Sequence, residues 1–249
     1  MKIVLFIGCL SGGGAERVVA NLANHLVEEG HDTTVLTVST EQTYHISPAV
    51  KWVKLCSESE RKLPHKFLNV LRMGRLICFF LTFKTDVYLT FLPKLSKTIL
   101  SFRKLIKAPV ILAERADPGT YYRQNLKNRN MMEAYYPRAD AFVFQTTDAR
   151  DFYAETLGLR SMKCTVIPNA VNTVFVGKSY EGKRSKRIVS AGRLDEQKNY
   201  SLLIDAFAEL NKKMPGYQLV IYGEGPLRSG LEKQIAEHAL TEWSRLLMC

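Results

Sequence analysis

The sequence predicts an α/β protein made of two doubly wound parallel-sheet domains, the second of them incomplete. Three observations carry that expectation. Apolar runs of strand length alternate with longer stretches of helical period along nearly all of the 249 residues. A glycine-bearing turn follows the opening strand of each half, Ser11-Gly12-Gly13-Gly14 in the first and Ala191-Gly192-Arg193 in the second. Between the halves the chain turns to Pro168-Asn169-Ala170-Val171-Asn172 and then to a run with five basic residues (Lys178, Lys183, Arg184, Lys186, Arg187) against one acid, Glu181. The expected organisation is therefore a first domain at 1–172, a linker at 173–186 and a second domain at 187–249.

The elements follow in order. Residues 2–7 are a continuous apolar run, the pattern of a strand covered on both faces. Behind the glycines, Val18, Val19, Leu22, Ala23 and Leu26 recur at helical spacing, with Gly30 placed to close the helix. A strand at 33–38 completes a βαβ unit. The alternation continues with a strand at 50–55, a helix at 64–81, a strand at 86–91, a helix at 95–106 and a strand at 110–113. A polar loop at 114–119 leads to a helix at 122–135, a strand at 141–145, a helix at 148–157 and a strand at 165–167. The second half reads as strand 187–191, helix 201–213, strand 218–222 and helix 227–238. Its tail, 241–249, does not read as a further strand. Two strands and two helices are too little for an independent core and leave an unpaired edge. In open sheets of this kind ligands sit beyond the carboxyl ends of the strands, where the strand order reverses.

Composition narrows the chemistry. A content of 46% hydrophobic and 24% charged residues is that of a globular chain. The formal charge of +11 points to anionic partners, namely a nucleotide, a phospholipid surface or a nucleic acid, with solubility alone as the alternative. Nucleic acid is disfavoured because the basic run lacks interleaved aromatic residues apart from Tyr180. Five irregularly spaced cysteines without a C-x-x-C fit reduced thiols in a cytoplasmic protein. No apolar run approaches the ~20 residues of a membrane span, and residues 3–7 are too short for a signal core. The five histidines show no ligand spacing with Cys, Asp or Glu, so no metal site is expected.

Four segments carry candidate chemistry. Gly12-Gly13-Gly14 lets the backbone approach a phosphate or sugar, with a packing turn as the alternative. A nicotinamide-dinucleotide reading is disfavoured, since Arg17 stands where a third glycine belongs and Glu41 lies too far on to hold a ribose. Arg193 and Lys198 set two cations beside a helix start, which suits a diphosphate leaving group. The loop from Glu114 to Gly119 sits at a strand end and could hold an acceptor hydroxyl or simply form internal salt bridges. Residues 61–83 mix Arg61, Lys62, Lys66, Arg72 and Arg75 with Phe67, Leu68, Leu71, Phe79 and Phe80. That mixture fits either a helix on an anionic membrane surface or one packed on the sheet with a solvated basic face.

Five segments, taken in order, resemble the family-4 retaining glycosyltransferases, which carry two Rossmann-like domains in the type B architecture. They are Gly12–Val19, Glu114-Arg115 with Asp117-Pro118, Val166–Val171, Ser190–Leu194 with Gln197-Lys198-Asn199, and Gly223-Glu224-Gly225-Pro226. The resemblance implies a nucleotide-sugar donor, a UDP-sugar, with no other cofactor. Arg193 and Lys198 would grip its diphosphate, and Gly13 and Gly14 would lie beneath the phosphates. The acceptor, lipid-linked or polysaccharide, would bind near Glu16, Arg17, Arg115 and Asp117. It also implies work at the inner membrane face and front-side attack, in which the leaving phosphate takes the hydroxyl proton and no separate base is needed. The family's late Glu-x7-Glu pair has one counterpart in spacing, Glu224 and Glu232, but these follow the second strand of their domain directly and are expected to be coincidental. The expectation is thus a C-terminally truncated transferase with impaired activity or none, whose catalytic residues are not identified. The alternative is a non-catalytic remnant that binds acceptor or membrane.

Overall fold

A computed structural model describes all residues except 116, 160–161, 171–176, 178–181, 183–184 and 248–249, together with the side chain of Thr120. The chain separates into two compact units, Met1–Val174 and Phe175–Cys249. Most of the expected linker at 173–186 lies outside the described residues.

Unit 1 is a seven-stranded, wholly parallel sheet. Its strands are β1 (Lys2–Ile7), β2 (Asp32–Thr37), β3 (Lys51–Lys54), β4 (Val87–Phe91), β5 (Val110–Ala113), β6 (Ala141–Phe144) and β7 (Lys163–Val166), in the order β3-β2-β1-β4-β5-β6-β7. Ile3 pairs with Thr33 on one side and Val87 on the other, so the order reverses at β1. Because successive side chains of a strand point to opposite faces, β1 feeds two cores. Leu5 and Ile7 meet Val19, Ala20 and Ala23 of α1 (Gly14–Glu28) on one face. Val4 and Phe6 join the other face, covered by α2 (His65–Thr82), α3 (Pro93–Ser101), α4 (Leu126–Tyr135) and α5 (Thr147–Thr156) through Phe80, Ile99, Met132 and Tyr153.

Most boundaries fall within two residues of the sequence reading, and two helices differ more. The helix expected at 95–106 starts at Pro93, whose fixed φ suits a first helical position, and breaks at Phe102 into the short turn Arg103–Leu105. The helix expected at 122–135 is a π-type turn at Pro118–Arg123 followed by α4. Asn125 caps α4 by accepting the Asn128 N–H, and that cap sets the later start.

A bidentate ion pair fastens α2 to the preceding loop. The Arg75 guanidinium donates to both Glu60 carboxylate oxygens at 2.7 Å and to the Leu55 carbonyl at 3.2 Å. Arg75 first, and the Ser57 N–H next, hold the Glu60 carboxyl at about 2, against an ordinary 4.5. A depressed folded-state pKa stabilises above the ordinary value and loses that contribution as pH falls towards the depressed one. An NMR titration should show Glu60 protonating near pH 2 in the parent chain and at a higher pH in Arg75→Gln, where the Ser57 N–H still holds it below the ordinary value. Equal midpoints in the two proteins would remove the pair from this account.

Unit 2 holds β8 (Arg187–Ala191), β9 (Gln218–Tyr222) and β10 (Ser244–Leu247), all parallel in the order β10-β9-β8, with α6 (Tyr200–Lys213) and α7 (Arg228–Glu237). Leu194, Ile204, Phe207, Leu219, Ile221, Leu231 and Leu240 form its core. The strand β10 corrects the sequence reading, which left the tail outside the sheet. Ala239 takes a left-handed conformation (φ 55°), and the Leu240 N–H donates to the Ile235 carbonyl at 2.9 Å. That closes α7 as a glycine usually would and turns Trp243 and Leu246 into the core. With alanine at the turn and only four residues in the strand, the sequence gives no mark of it.

Candidate donor and acceptor sites

In unit 2 the loop after β8 is stitched to the loop after β9. The Gly192 N–H donates to the Tyr222 carbonyl, the Leu194 N–H to that of Glu224, both at 2.9 Å, and the Leu227 N–H to that of Leu194 at 3.1 Å. The backbones approach so closely that a Cβ on Gly223 would overlap the Gly192 carbonyl, and one on Gly225 the Leu194 carbonyl. Glycine is therefore a steric requirement at both positions. Leu194 is fully buried and pins the loop, which turns Arg193 outward with its side chain 70% exposed. Arg193 Nε donates to Asp195 Oδ2 at 2.6 Å. The Lys198 stem runs past Gly192, its Cε and Cδ 3.5 and 3.7 Å from where a Cβ there would stand. α6 begins directly afterwards behind Asn199 (φ 50°), with no side-chain cap on its first N–H groups. Two cations and an uncapped helix start thus share one loop, an arrangement suited to a phosphate.

The sequence-matched pair Glu224 and Glu232 is otherwise employed. Arg228 holds Glu224 at 2.7 Å and Glu232 at 2.9 Å, and its third nitrogen donates to the Leu246 carbonyl at 3.0 Å. One guanidinium ties α7 to β10 and takes up both carboxylates.

In unit 1 the glycine turn leads from β1 into α1. Gly12 is left-handed (φ 83°), Gly13 is the extended residue before the helix, and Gly14 has open space around its Cα. The Glu16 carboxylate folds back over Gly13, the reach of an acidic residue at the third helical position. The start of α1 thereby carries an internal anion, and a phosphate lying against Gly13 would have to displace it. Arg17 is exposed, its guanidinium 5.5 Å from the centre of the Tyr44 ring.

Arg115 leaves the end of β5, two strands from β1 and thus about 10 Å away across β4. Its guanidinium donates to Asn169 Oδ1 and lies 5.5 Å over the Phe91 ring. Burial lowers its pKa, partly offset by the charge of Glu114. Among the described residues its Nε is buried without a hydrogen-bond partner. Arg115 and Asn169 border a largely apolar cavity of about 440 Å³ between Val18, Leu22 and His25 of α1 and Leu89, Phe91 and Val143 of the sheet. Asp117, further along the loop, is exposed.

The loop expected to be polar at 114–119 starts with a buried carboxylate. Glu114 is 5% exposed, accepts the Tyr136 hydroxyl on Oε2 and accepts the Arg115 N–H on Oε1 at 2.7 Å. Burial first, and the Glu114 charge next, push both Tyr136 and Tyr153 well above the ordinary phenol value. Tyr136, Asn169 and Gln145, which holds Asn169 at 3.2 Å, are the site residues that sequence reasoning missed. The turn at Pro168-Asn169 was visible, but its partner stands 54 residues earlier in the chain. Among the described residues no group of three His, Cys, Asp or Glu side chains is placed to hold a metal ion, and no helix is long and apolar enough to cross a membrane.

The fold is that of the type B glycosyltransferases. Sucrose-phosphate synthase from Thermosynechococcus elongatus aligns with a TM-score of 0.75 at 15% identity, over 99% of this chain and 70% of that one. Anabaena HepE, in complex with UDP-glucose, aligns with a TM-score of 0.73 at 15% identity, over 100% of this chain and 69% of its own. The sequence comparison is narrower. Residues 12–175 match the pattern of Glycosyltransferase Family 4 and residues 174–247 that of Glycosyl transferases group 1. The chain belongs to glycosyltransferase family 4. A Campylobacter jejuni relative is the N-acetylgalactosamine-N,N'-diacetylbacillosaminyl-diphospho-undecaprenol 4-alpha-N-acetylgalactosaminyltransferase, 29% identical over 99% of this chain and 69% of its own length. Another, from Erwinia amylovora, is the amylovoran biosynthesis glycosyltransferase AmsD, 21% identical over 98% of this chain and 68% of its own length. The chain spans about two thirds of the length of these relatives.

Proposed function

We propose that this chain carries the donor-diphosphate and acceptor elements of a retaining hexosyltransferase that moves a sugar from a UDP-sugar to a lipid-linked or polysaccharide acceptor. The observation that carries the reading is the loop after β8, where Arg193 and Lys198 accompany the uncapped start of α6. When the bond from the sugar's anomeric carbon to the diphosphate breaks, negative charge gathers on the departing phosphate. Fixed cations stabilise that state more than the ground state. The acceptor oxygen bonds the anomeric carbon on the same face, and its proton passes to the departing phosphate oxygen. Glu16, Arg17, Arg115 and Asp117 are the acceptor-side groups of this reading, and Gly13 and Gly14 its second phosphate contact.

No catalytic carboxylate is assigned in this reading: Glu224 and Glu232 have the family's spacing by coincidence, and both are held by Arg228. Calorimetric titration supplies the test. UDP should bind to the folded chain and NAD should not, and any glycoside formed should keep the anomeric configuration of its donor. A folded chain that ignores UDP, or a product with inverted configuration, overturns the reading. The second reading is a non-catalytic module that binds an acceptor or a membrane at the cytoplasmic face; the surface of α2 favours it.

A further inference from the structure

Glu114 directly follows β5 and is buried where a carboxylate is costly unless its oxygens find donors. Both do. Oε2 accepts the hydroxyl of Tyr136, itself fully buried, and Oε1 accepts the Arg115 N–H. A carboxylate satisfies both donors, whereas a glutamine amide would set its own N–H groups against one of them. The backbone of Arg115 is thus fixed from the core side. Its guanidinium is fixed separately, from the turn after β7. Nη1 donates to Asn169 Oδ1, the Asn169 amide donates to Gln145 Oε1 at 3.2 Å, and the Phe91 ring centre lies 5.5 Å away. Among the described residues the guanidinium therefore rests on an amide and an aromatic ring, with its buried Nε–H lacking an acceptor. An unpaired buried N–H is unfavourable, and a side chain anchored at both ends cannot turn to relieve it. A cation held in this way with one donor open is preorganised for a ligand.

We propose that Glu114, Tyr136 and Asn169 are positioning residues that aim the Arg115 guanidinium at a phosphate group of the acceptor. The inference rests on the reading of Arg115 as an acceptor-side group and names the chemistry that it recognises. A guanidinium is a planar fork of donors matched to phosphate oxygens, and neutral partners leave its charge available to an anion. A sugar hydroxyl fits worse, because it brings no charge to offset a partly buried cation. The role of Glu114 can be read from the sign of one effect. Its charge lies close enough to raise the Arg115 pKa against the lowering by burial. Were Glu114 only a nearby negative charge, Glu114→Gln would strengthen anion binding at Arg115. As the group that holds Arg115 in place, its loss weakens that binding instead. Were Arg115 only a fastener between β5 and the Pro168-Asn169 turn, no anion would reach its Nε–H.

The test uses the full 249-residue chain carrying Arg193→Ala and Lys198→Ala, so that the donor loop adds no anion binding of its own. Heteronuclear NMR follows the Arg115 Nε–H, identified by its disappearance in Arg115→Lys. Inorganic pyrophosphate and geranyl diphosphate should each shift that resonance, and neutral methyl glucoside should not. Glu114→Gln, Tyr136→Phe and Asn169→Ala should each weaken pyrophosphate binding by about tenfold, and Arg115→Lys should abolish it. Asn169 is exposed, so Asn169→Ala should unfold at the parent temperature and decides the matter even where the two buried substitutions lower stability. Tighter binding in Glu114→Gln, or an Nε–H that neither phosphate compound moves, overturns the proposal. A shift caused by methyl glucoside also overturns it, assigning Arg115 to a hydroxyl. Pyrophosphate binding without geranyl diphosphate binding does the same, assigning the site to a free anion. UDP titration of the chain with Arg193 and Lys198 intact is a separate measurement, so a failure of the transferase reading would appear there and not here.

Discussion

Replacing Arg193 and Lys198 together by alanine is expected to abolish UDP binding while leaving the fold intact. Both side chains are exposed and neither supports the core of unit 2, so unfolding temperatures should stay at the parent value. A charge-assisted hydrogen bond contributes about 1.5–3 kcal/mol, which corresponds to roughly ten- to 150-fold in affinity. The two positions should not weigh equally. Arg193 is tied to Asp195, so part of its charge is already neutralised and its loss should sit at the low end of that range. Lys198, with its stem against Gly192 and no acidic partner among the described residues, should sit nearer the high end. Lys212→Ala removes the same charge from the far end of α6 and serves as the control. UDP affinity unchanged in the double variant would detach this loop from the donor.

Gly223→Ala should destabilise the protein more than any other single methyl addition at the candidate sites except Gly225→Ala. Each new Cβ would meet backbone, the Gly192 carbonyl in one case and the Leu194 carbonyl in the other, and backbone cannot swing aside as a side chain can. Overpacking of this kind costs about 1–3 kcal/mol, or about 2–12 °C in unfolding temperature for a chain of this size. The same shift would push the β8 and β9 loops apart and displace Arg193, so UDP binding should fall as well. Gly14→Ala provides the contrast. Its Cβ meets open space at the start of α1, and alanine favours the helix, so stability should hold or rise slightly. Scanning calorimetry of the three variants decides the matter, and equal unfolding temperatures for Gly223→Ala and the parent would refute the close-packed loop pair.

Much of the fold could be read from periodicity. Parallel strands covered on both faces appear as unbroken apolar runs, and the glycine turns behind residues 7 and 191 mark the change from strand to helix. The ends were less legible where the signal lay outside the pattern. Pro93 began α3 early and Asn125 delayed α4, because single capping residues outweigh several residues of periodicity at a helix terminus. β10 escaped because Ala239, lacking the usual glycine, makes the left-handed turn that returns the chain to the sheet.

The candidate sites divide in the same way. Sequence by itself determined the family, the two α/β halves and the placement of Arg193, Lys198 and Arg115 beyond strand ends, since all of these follow from local order along the chain. Tertiary structure alone decided that Glu114 is buried under Tyr136, that Arg115 is held by Asn169 and that Arg228 takes both Glu224 and Glu232. It also decided that Glu16 covers Gly13 and that α2 turns Phe67, Val70 and Leu81 outward. The physical reason is that a hydrogen-bond partner or a buried face belongs to the pairing of distant segments. Periodicity records which residues share a face, but only the assembled sheet selects the face that meets water.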